Sequence, residues 1–339
     1  FEFSADSILL AVGTVPFRPD YVPFDDRQIF DSDGILSLDH LPRSIAVIGA
    51  GLMGHGIAQV FALAGHDITI TDAHKPTLDS ALSRISTNLR DLGDDEKAVS
   101  RVKPVADLAA CVRDADYVVE AILEDMPLKQ KTFAEIEQHV RPNTILASNT
   151  SVMPITEIMQ GLKHRERALG THWWNPPFLV PLVEVIGTQW TSQAAIDFTM
   201  KLHADAGKQP AHVKKDVPGF IGNRLQHALW REAVSLVERG ICDAETVDKV
   251  IKAAFGRRLA VLGPLENADL VGTDLTLAIH KTVLPDIDHR PGPSPYLERL
   301  VAEGKLGFKS GEGFRKWSAD EQAALRSKVL QHLKKARDA

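Results

Sequence analysis

Cysteine is scarce in this sequence. Cys111 and Cys242 are its only two in 339 residues, and they lie far apart. That leaves no disulfide framework and no C-x-x-C pair for a metal or for redox work. A reducing cytoplasmic setting fits such usage. Long apolar runs are missing as well, since none reaches the roughly 18 residues that span a bilayer. No basic, apolar, small-residue leader opens the chain. Phe1 stands first instead of methionine, so a cut or processed start is expected. Positive charge is in deficit: 39 Lys and Arg against 45 Asp and Glu leave a net charge of −6. With a pI near 6.1, this argues against nucleic acid or an anionic membrane as partner. What remains, 44% hydrophobic and 25% charged, describes a globular protein with length for two ordinary domains.

Most of the meaning sits between Ile45 and Asp72. An apolar run, Ile45-Ala46-Val47-Ile48, leads into Gly49-Ala50-Gly51-Leu52-Met53-Gly54, a G-x-G-x-x-G. A helix-like run over 57–64 follows, with Gly65 as its stop, and a second strand-like run, 67–71, ends on Asp72. Strand, glycine turn, helix, strand and acid in that order predict a dinucleotide site. Gly49 permits the tight turn, Gly51 lets a pyrophosphate approach the backbone, and Gly54 lets helix and strand pack closely. The helix N-terminus, with Leu52 and Met53 beside it, offers free N–H groups and the positive end of its dipole. Asp72 suits ribose hydroxyls and repels a 2′-phosphate, which favours NAD over NADP.

Residues 1–44 read differently. Residues 5–14 predict a strand and turn, after which Pro16, Pro19 and Pro23 break regular structure. This piece, down to the run 30–38 and Leu41-Pro42-Arg43-Ser44, resembles a segment of flavin-dependent pyridine nucleotide–disulfide oxidoreductases. No redox cysteine pair accompanies it, so an extension without flavin is expected. Beyond it, strands at 102–105, 115–122, 143–148, 167–172 and 182–186 alternate with helical patterns at 73–93 and 129–140. The prediction is α/β: a Rossmann-type, doubly wound, mostly parallel sheet over 45–217. After Pro218-Gly219 the alternation ends. Helices over 220–239, 244–254, 265–280 and 296–303 predict an all-helical C-terminal domain over 218–317, followed by a polar, loosely packed helical tail over 318–339.

Chemistry concentrates between Ser148 and Glu184. His172 closes a predicted strand, where open α/β sheets place their ligands. An imidazole there can take a hydroxyl proton while hydride leaves. Glu184, on the next strand, can hold its other nitrogen, and Ser151 can hydrogen-bond the substrate oxygen. Together with Glu120-Ala121-Ile122-Leu123-Glu124, Ala147-Ser148-Asn149-Thr150-Ser151, His172…Asn175-Pro176, Pro218-Gly219-Phe220-Ile221-Gly222-Asn223-Arg224-Leu225 and the tail segment 304–314, these residues resemble the 3-hydroxyacyl-CoA dehydrogenase family. The resemblance implies an NAD-dependent dehydrogenase with His172 as acid/base, Glu184 as its partner, and Ser151 and Asn223 as substrate-side hydrogen bonders. It implies that Asn149, Glu124 and Lys129 line the nicotinamide half of the NAD site, and that the helical domain forms a homodimer and closes over a small-molecule substrate. No metal is implied.

Departures from the family pattern narrow the substrate. Trp173-Trp174 stand where acyl-CoA members carry two phenylalanines, and Val180-Pro181 where they carry a Met-Lys pair. The form N-P-P-x-x-x-P-L-V-E resembles the branch acting on small free acids such as gulonate or carnitine. Basic residues over 73–103 are offset by acids, which does not favour a CoA phosphate patch. Indoles beside His172 suit a flat aromatic substrate, so Trp173, Trp174 and Asn175 are taken as pocket residues, with the resemblance implying oxidation of a pyridine aldehyde to its acid. A true 3-hydroxyacyl-CoA dehydrogenase, an NAD-binding structural protein and a flavoprotein reductase remain the rivals.

Overall fold

The computed structural model describes residues 8–10, 29–31 and 44–337. Within the N-terminal extension, β1 (Ile8–Leu10) pairs in parallel with β2 (Ile29–Asp31). The three prolines, the rest of the flavoenzyme-like segment and the last two residues of the tail lie outside the described residues.

The main sheet begins with β3 (Ser44–Ile48), α1 (Gly54–Leu63) and β4 (Asp67–Thr71). Two short helices, α2 (Lys75–Asp79) and α3 (Ala81–Leu92), stand where one helical run was expected. Then come β5 (Val102–Pro104), α4 (Leu108–Val112), β6 (Tyr117–Glu120), α5 (Met126–Glu137), β7 (Ile145–Ser148) and α6 (Ile155–Met159). The sheet ends with β8 (Ala168–Trp173), β9 (Leu182–Ile186), α7 (Gln193–Asp205) and β10 (Gln209–Val213). The eight strands lie in the order β10-β9-β8-β7-β6-β3-β4-β5. All neighbours are parallel except β8 and β9, which run antiparallel. Strands β6, β7 and β8 are buried along their whole length, as expected when helices cover both faces of a parallel sheet. Two apolar cores result, one on each face: Ile57, Phe61 and Ile85 belong to one, and Val112, Phe133 and Ile158 to the other.

After the sheet the chain is helical: α8 (Gly222–Glu238), α9 (Ala244–Ala253), α10 (Pro264–Val271), α11 (Thr273–Val283), α12 (Pro295–Ala302) and α13 (Ala319–Arg337). The single helix expected over 265–280 is two, because Gly272 adopts φ +98 between α10 and α11. The tail helix α13 buries no residue. Its last turn reaches the end of α3, where Lys334 donates to the Asp91 carbonyl (2.8 Å) and Arg337 to Asp94 (2.9 Å). Among the described residues no helix is long and apolar enough to cross a membrane.

Candidate active site

Strand β3 pairs with β4 on one side and β6 on the other. The chain therefore switches lateral direction there, and a crevice opens at the carboxyl ends of the strands. Gly49 takes φ +98, and a Cβ on it would lie 2.5 Å from the Ala121 carbonyl oxygen. A Cβ on Gly54 would lie 1.7 Å from the Gly49 carbonyl oxygen, so neither position admits a side chain. Beside Gly51 nothing lies within 4 Å of where a Cβ would stand. Helix α1 starts at this open space with no side-chain cap and no acid in its first turn, which leaves its N–H groups and dipole for an anion. Asp72 braces the loop: Oδ2 accepts from the Ala50 amide (2.7 Å) and Oδ1 from the His74 amide (2.8 Å). Each oxygen retains a lone pair for a ribose hydroxyl. Arg84 turns inward and donates to the carbonyls of Ala50 (2.6 Å) and Thr77 (2.9 Å). Leu52 is exposed at the helix start with Met53 half-buried beside it. The open glycine turn, uncapped helix and acid fit the diphosphate and adenosine ribose of NAD.

A buried pair forms because β8 and β9 are antiparallel and place His172 directly opposite Glu184. His172 Nδ1 and Glu184 Oε2 are 2.7 Å apart, and both side chains are buried. Glu184 Oε1 accepts from the backbone N–H of Ile221 (2.9 Å) and Gly222 (3.0 Å). Those donors converge because Phe220 takes φ 51, a left-handed conformation rare for a bulky residue. Burial raises the cost of charging Glu184, but the bonds from His172, Gly222 and Ile221 outweigh it and hold the carboxyl below its ordinary pKa. A carboxylate there receives the Nδ1 proton of His172 and leaves Nε2 with a free lone pair, the arrangement of a base.

The remaining residues singled out from the sequence sort by environment. Asn223 Nδ2 donates to the Ser151 carbonyl (2.7 Å) and Glu124 accepts from the Ser151 amide (2.5 Å), so these three meet beside the pair. Asn149 Oδ1 accepts from the Trp173 amide (2.9 Å). Lys129 is fully buried and pairs with Glu120 at 2.7 Å, with Glu124 at 3.5 Å. Trp174 faces His172, ring to ring at 5.1 Å, and Asn175 is exposed. Trp173 is a correction. Successive residues on a strand point to opposite faces, so Trp173 packs into the core against Phe61 (5.5 Å) and His203 (5.1 Å) and does not line a pocket with His172.

Three participants went unread in the sequence. Glu120 is buried, taking Lys129 on Oε1 and the Ser148 hydroxyl (2.6 Å) on Oε2. An acid closing the β-branched run 117–120 was a readable signal, because a charge in a buried strand needs a partner. Phe220 packs on the His172 ring at 5.6 Å. Lys208 donates to the carbonyls of Pro177 and Val180 and so ties down the loop between β8 and β9. Burial brings its pKa down to about 8. Among the described residues no three His, Cys, Asp or Glu side chains gather to hold a metal.

The family models decide the kinship. The 3-hydroxyacyl-CoA dehydrogenase NAD-binding domain matches residues 44–217, and the C-terminal domain of the same family matches 219–317. The chain belongs to the 3-hydroxyacyl-CoA dehydrogenase family. Its relatives there are NAD-dependent dehydrogenases. It is 34% identical to the 5-formyl-3-hydroxy-2-methylpyridine 4-carboxylate 5-dehydrogenase of Mesorhizobium japonicum, over 86% of this chain and 96% of the relative. It is 38% identical to human mitochondrial hydroxyacyl-coenzyme A dehydrogenase, over 81% of this chain and 91% of that one. Among solved structures, a 5-formyl-3-hydroxy-2-methylpyridine 4-carboxylic acid 5-dehydrogenase, described as an NAD+-dependent dismutase, superposes with a TM-score of 0.81 at 33% identity, covering 87% of this chain and 97% of that chain. The (S)-3-hydroxybutyryl-CoA dehydrogenase of Ralstonia eutropha superposes with a TM-score of 0.69 at 30% identity, over 82% of this chain and 99% of its own.

Proposed function

We propose that this dehydrogenase oxidises a small aromatic aldehyde bearing a carboxylate, with 5-formyl-3-hydroxy-2-methylpyridine 4-carboxylate as substrate and the dicarboxylate as product. The observation that carries this reading is the Trp174 indole set 5.1 Å from the His172 imidazole, a flat wall beside the base. The higher TM-score to the enzyme named for that substrate supports it. The charges over 73–103 support it too. Lys75, Arg90 and Arg101 are paired with Asp79, Glu96 and Asp67, and Arg84 is committed to backbone carbonyls, which leaves Lys97 and Lys103 as the basic residues of this stretch open to the phosphates of CoA.

NAD supplies the hydride acceptor. Water adds to the aldehyde carbon to give its gem-diol hydrate, which supplies the second oxygen of the acid. His172 Nε2 takes one hydroxyl proton while the C–H electron pair leaves as hydride, and the carbon becomes a carboxylic acid. Glu184 stabilises the imidazolium that forms. Asn223 holds the Ser151 backbone, so the Ser151 hydroxyl can donate to the substrate oxygen, and Glu124, Lys129 and Asn149 shape the nicotinamide end of the crevice. A homodimer through the helical region belongs to this reading, supported by the large apolar side chains that α10 and α11 leave exposed.

The second reading is a 3-hydroxyacyl-CoA dehydrogenase, favoured by the 38% identity to the human enzyme. A substrate panel with NAD, followed at the NADH absorbance band, separates the two. Turnover of the pyridine aldehyde well above that of 3-hydroxybutyryl-CoA is the expected result, and the reverse order overturns the proposal.

A further inference from the structure

The glycine turn is gripped from behind. Arg84 and Asn88 stand four residues apart on α3 and so share one face of it, and that face meets the start of α1. Arg84 Nη2 donates to the Ala50 carbonyl (2.6 Å) and Nη1 to the Gly51 carbonyl (3.3 Å). His55 Nδ1 lies 2.6 Å from the same Gly51 oxygen. A carbonyl oxygen only accepts, so this nitrogen carries the ring proton. Asn88 Nδ2 lies 3.3 Å from His55 Nε2 and donates to Gln59 Oε1 (3.0 Å), which fixes the buried imidazole from its other side.

Two successive peptides of the turn are held in this way. Both are trans, since the cis bond among the described residues is Asn175-Pro176. In a planar trans peptide the N–H points away from the C=O. With the Ala50 and Gly51 carbonyls drawn to Arg84 and His55, the Gly51 and Leu52 N–H groups face the opposite way. Among the described residues, the backbone N–H groups of Gly51, Leu52 and Met53 find no acceptor. Consecutive free amides of this kind form an anion nest, and the NAD-binding domain supplies the anion, the dinucleotide diphosphate. We infer that Arg84 and His55 are positioning residues for NAD: they hold two carbonyls back and thereby aim the Gly51 and Leu52 amides at the diphosphate. Without that grip each peptide is free to rotate, and ordering the amides is then charged against binding. The inference concerns the cofactor and stands under either substrate reading.

The test measures Kd for NADH by its fluorescence, and for ADP and adenosine by displacement of NADH. ADP carries the diphosphate and adenosine carries none. In Arg84→Met, Kd for NADH and ADP is expected to rise about tenfold, the net worth of about one hydrogen bond. Kd for adenosine stays unchanged, and kcat at saturating NAD stays within about threefold. His55→Leu removes an uncharged donor and is expected to weaken the same two ligands about threefold, again sparing adenosine. Unchanged ADP affinity in either folded variant overturns the inference; if only Arg84→Met has an effect, the guanidinium charge alone explains it. An equal loss for adenosine also overturns it, because the disturbance is then not confined to the diphosphate. Should Arg84→Met fail to fold by circular dichroism, His55→Leu decides alone.

Discussion

The sheet and the helices behind it solve the burial problem in opposite ways. Among the described residues the buried apolar side chains lie between Ile45 and Val213, with Phe220 and Leu300 the exceptions beyond it. In contrast, α9, α10 and α11 bury no residue at all, and Val261, Leu265 and Leu270 are 89%, 79% and 72% exposed. A parallel sheet covered on both faces closes its own core. Amphipathic helices that leave leucines in water have an unfilled side. The first half therefore closes on itself, and the second leaves an apolar side that a second copy could cover. The two meet around one carboxylate: Glu184 takes His172 on one oxygen and the N–H groups of Ile221 and Gly222 on the other, while Phe220 packs on the His172 ring and Asn223 holds the Ser151 carbonyl.

The sharpest way to test the division is to cut the chemistry out of the sheet and leave the architecture. His172→Ala removes the base and is expected to lower kcat by about 10² to 10⁴, with NAD affinity and fold unchanged. Steady-state kinetics and NAD titration read the two separately. Near wild-type turnover in a folded variant would move the chemistry elsewhere.

A second test asks how much the sheet depends on its buried charges. Lys129→Met leaves Glu120 buried with only the Ser148 hydroxyl and the Ile122 amide. Removing one member of a buried ion pair costs about 3–5 kcal/mol, so chemical denaturation should show a loss of that order. A variant as stable as wild type would show that the pair serves the crevice and not the fold.

Much of the sheet was legible because buried parallel strands are written as β-branched runs. β4 and β9 fall where the sequence predicts them, and the glycine turn does so with its three separate constraints. The misreadings have physical causes. α7 and β10 went unread: β10 is an edge strand containing Pro210, a residue tolerated at sheet edges and absent from strand patterns. α10 and α11 read as one helix because apolar spacing continues across Gly272, and only its positive φ breaks them. Trp173 neighbours His172 in sequence but not in space, because strand alternation turns it to the opposite face of β8. The link from Glu184 to Ile221 and Gly222 depends on a left-handed Phe220, and no sequence pattern announces that.

Acid tests the packing of the sheet's own core. His203 is fully buried among Phe61, Tyr117 and Trp173. Burial lowers its pKa to about 4, the nearby Lys208 ammonium adds to that, and the hydrogen bond to the Thr199 carbonyl opposes it. Between pH 6.5 and about 4 the unfolded chain takes up a proton that the folded one refuses. This contribution is therefore fully present above pH 6.5 and is lost as pH falls towards 4, by about 3 kcal/mol. His203→Phe keeps the ring packing and removes the proton site. Its stability-against-pH curve, from denaturation at several pH values, should be flatter than that of wild type over this window. An unchanged slope would mean that His203 stays hydrated.

The smallest effect is expected where the helical half would meet a second copy. Leu265 and Leu270 both lie on α10, and both are exposed. Facing water, a single apolar side chain costs little to replace, so Leu265→Glu should hardly alter the stability of an isolated chain. In a homodimer the same carboxylate would be desolvated without a counter-charge, and dissociation should increase about 10- to 100-fold, on the order of 1–3 kcal/mol. Sedimentation over a range of concentrations distinguishes these outcomes. If wild type remains a monomer at micromolar concentrations, or the substitution leaves association untouched, the contrast between a self-contained sheet and an incomplete helical half loses its second term. If dissociation rises while His172 chemistry per active site stays constant, assembly and catalysis are separable. If turnover falls in step with dissociation, the coupling runs through the segment that opens α8, whose Ile221 and Gly222 N–H groups bind Glu184 and whose Phe220 packs on the His172 ring.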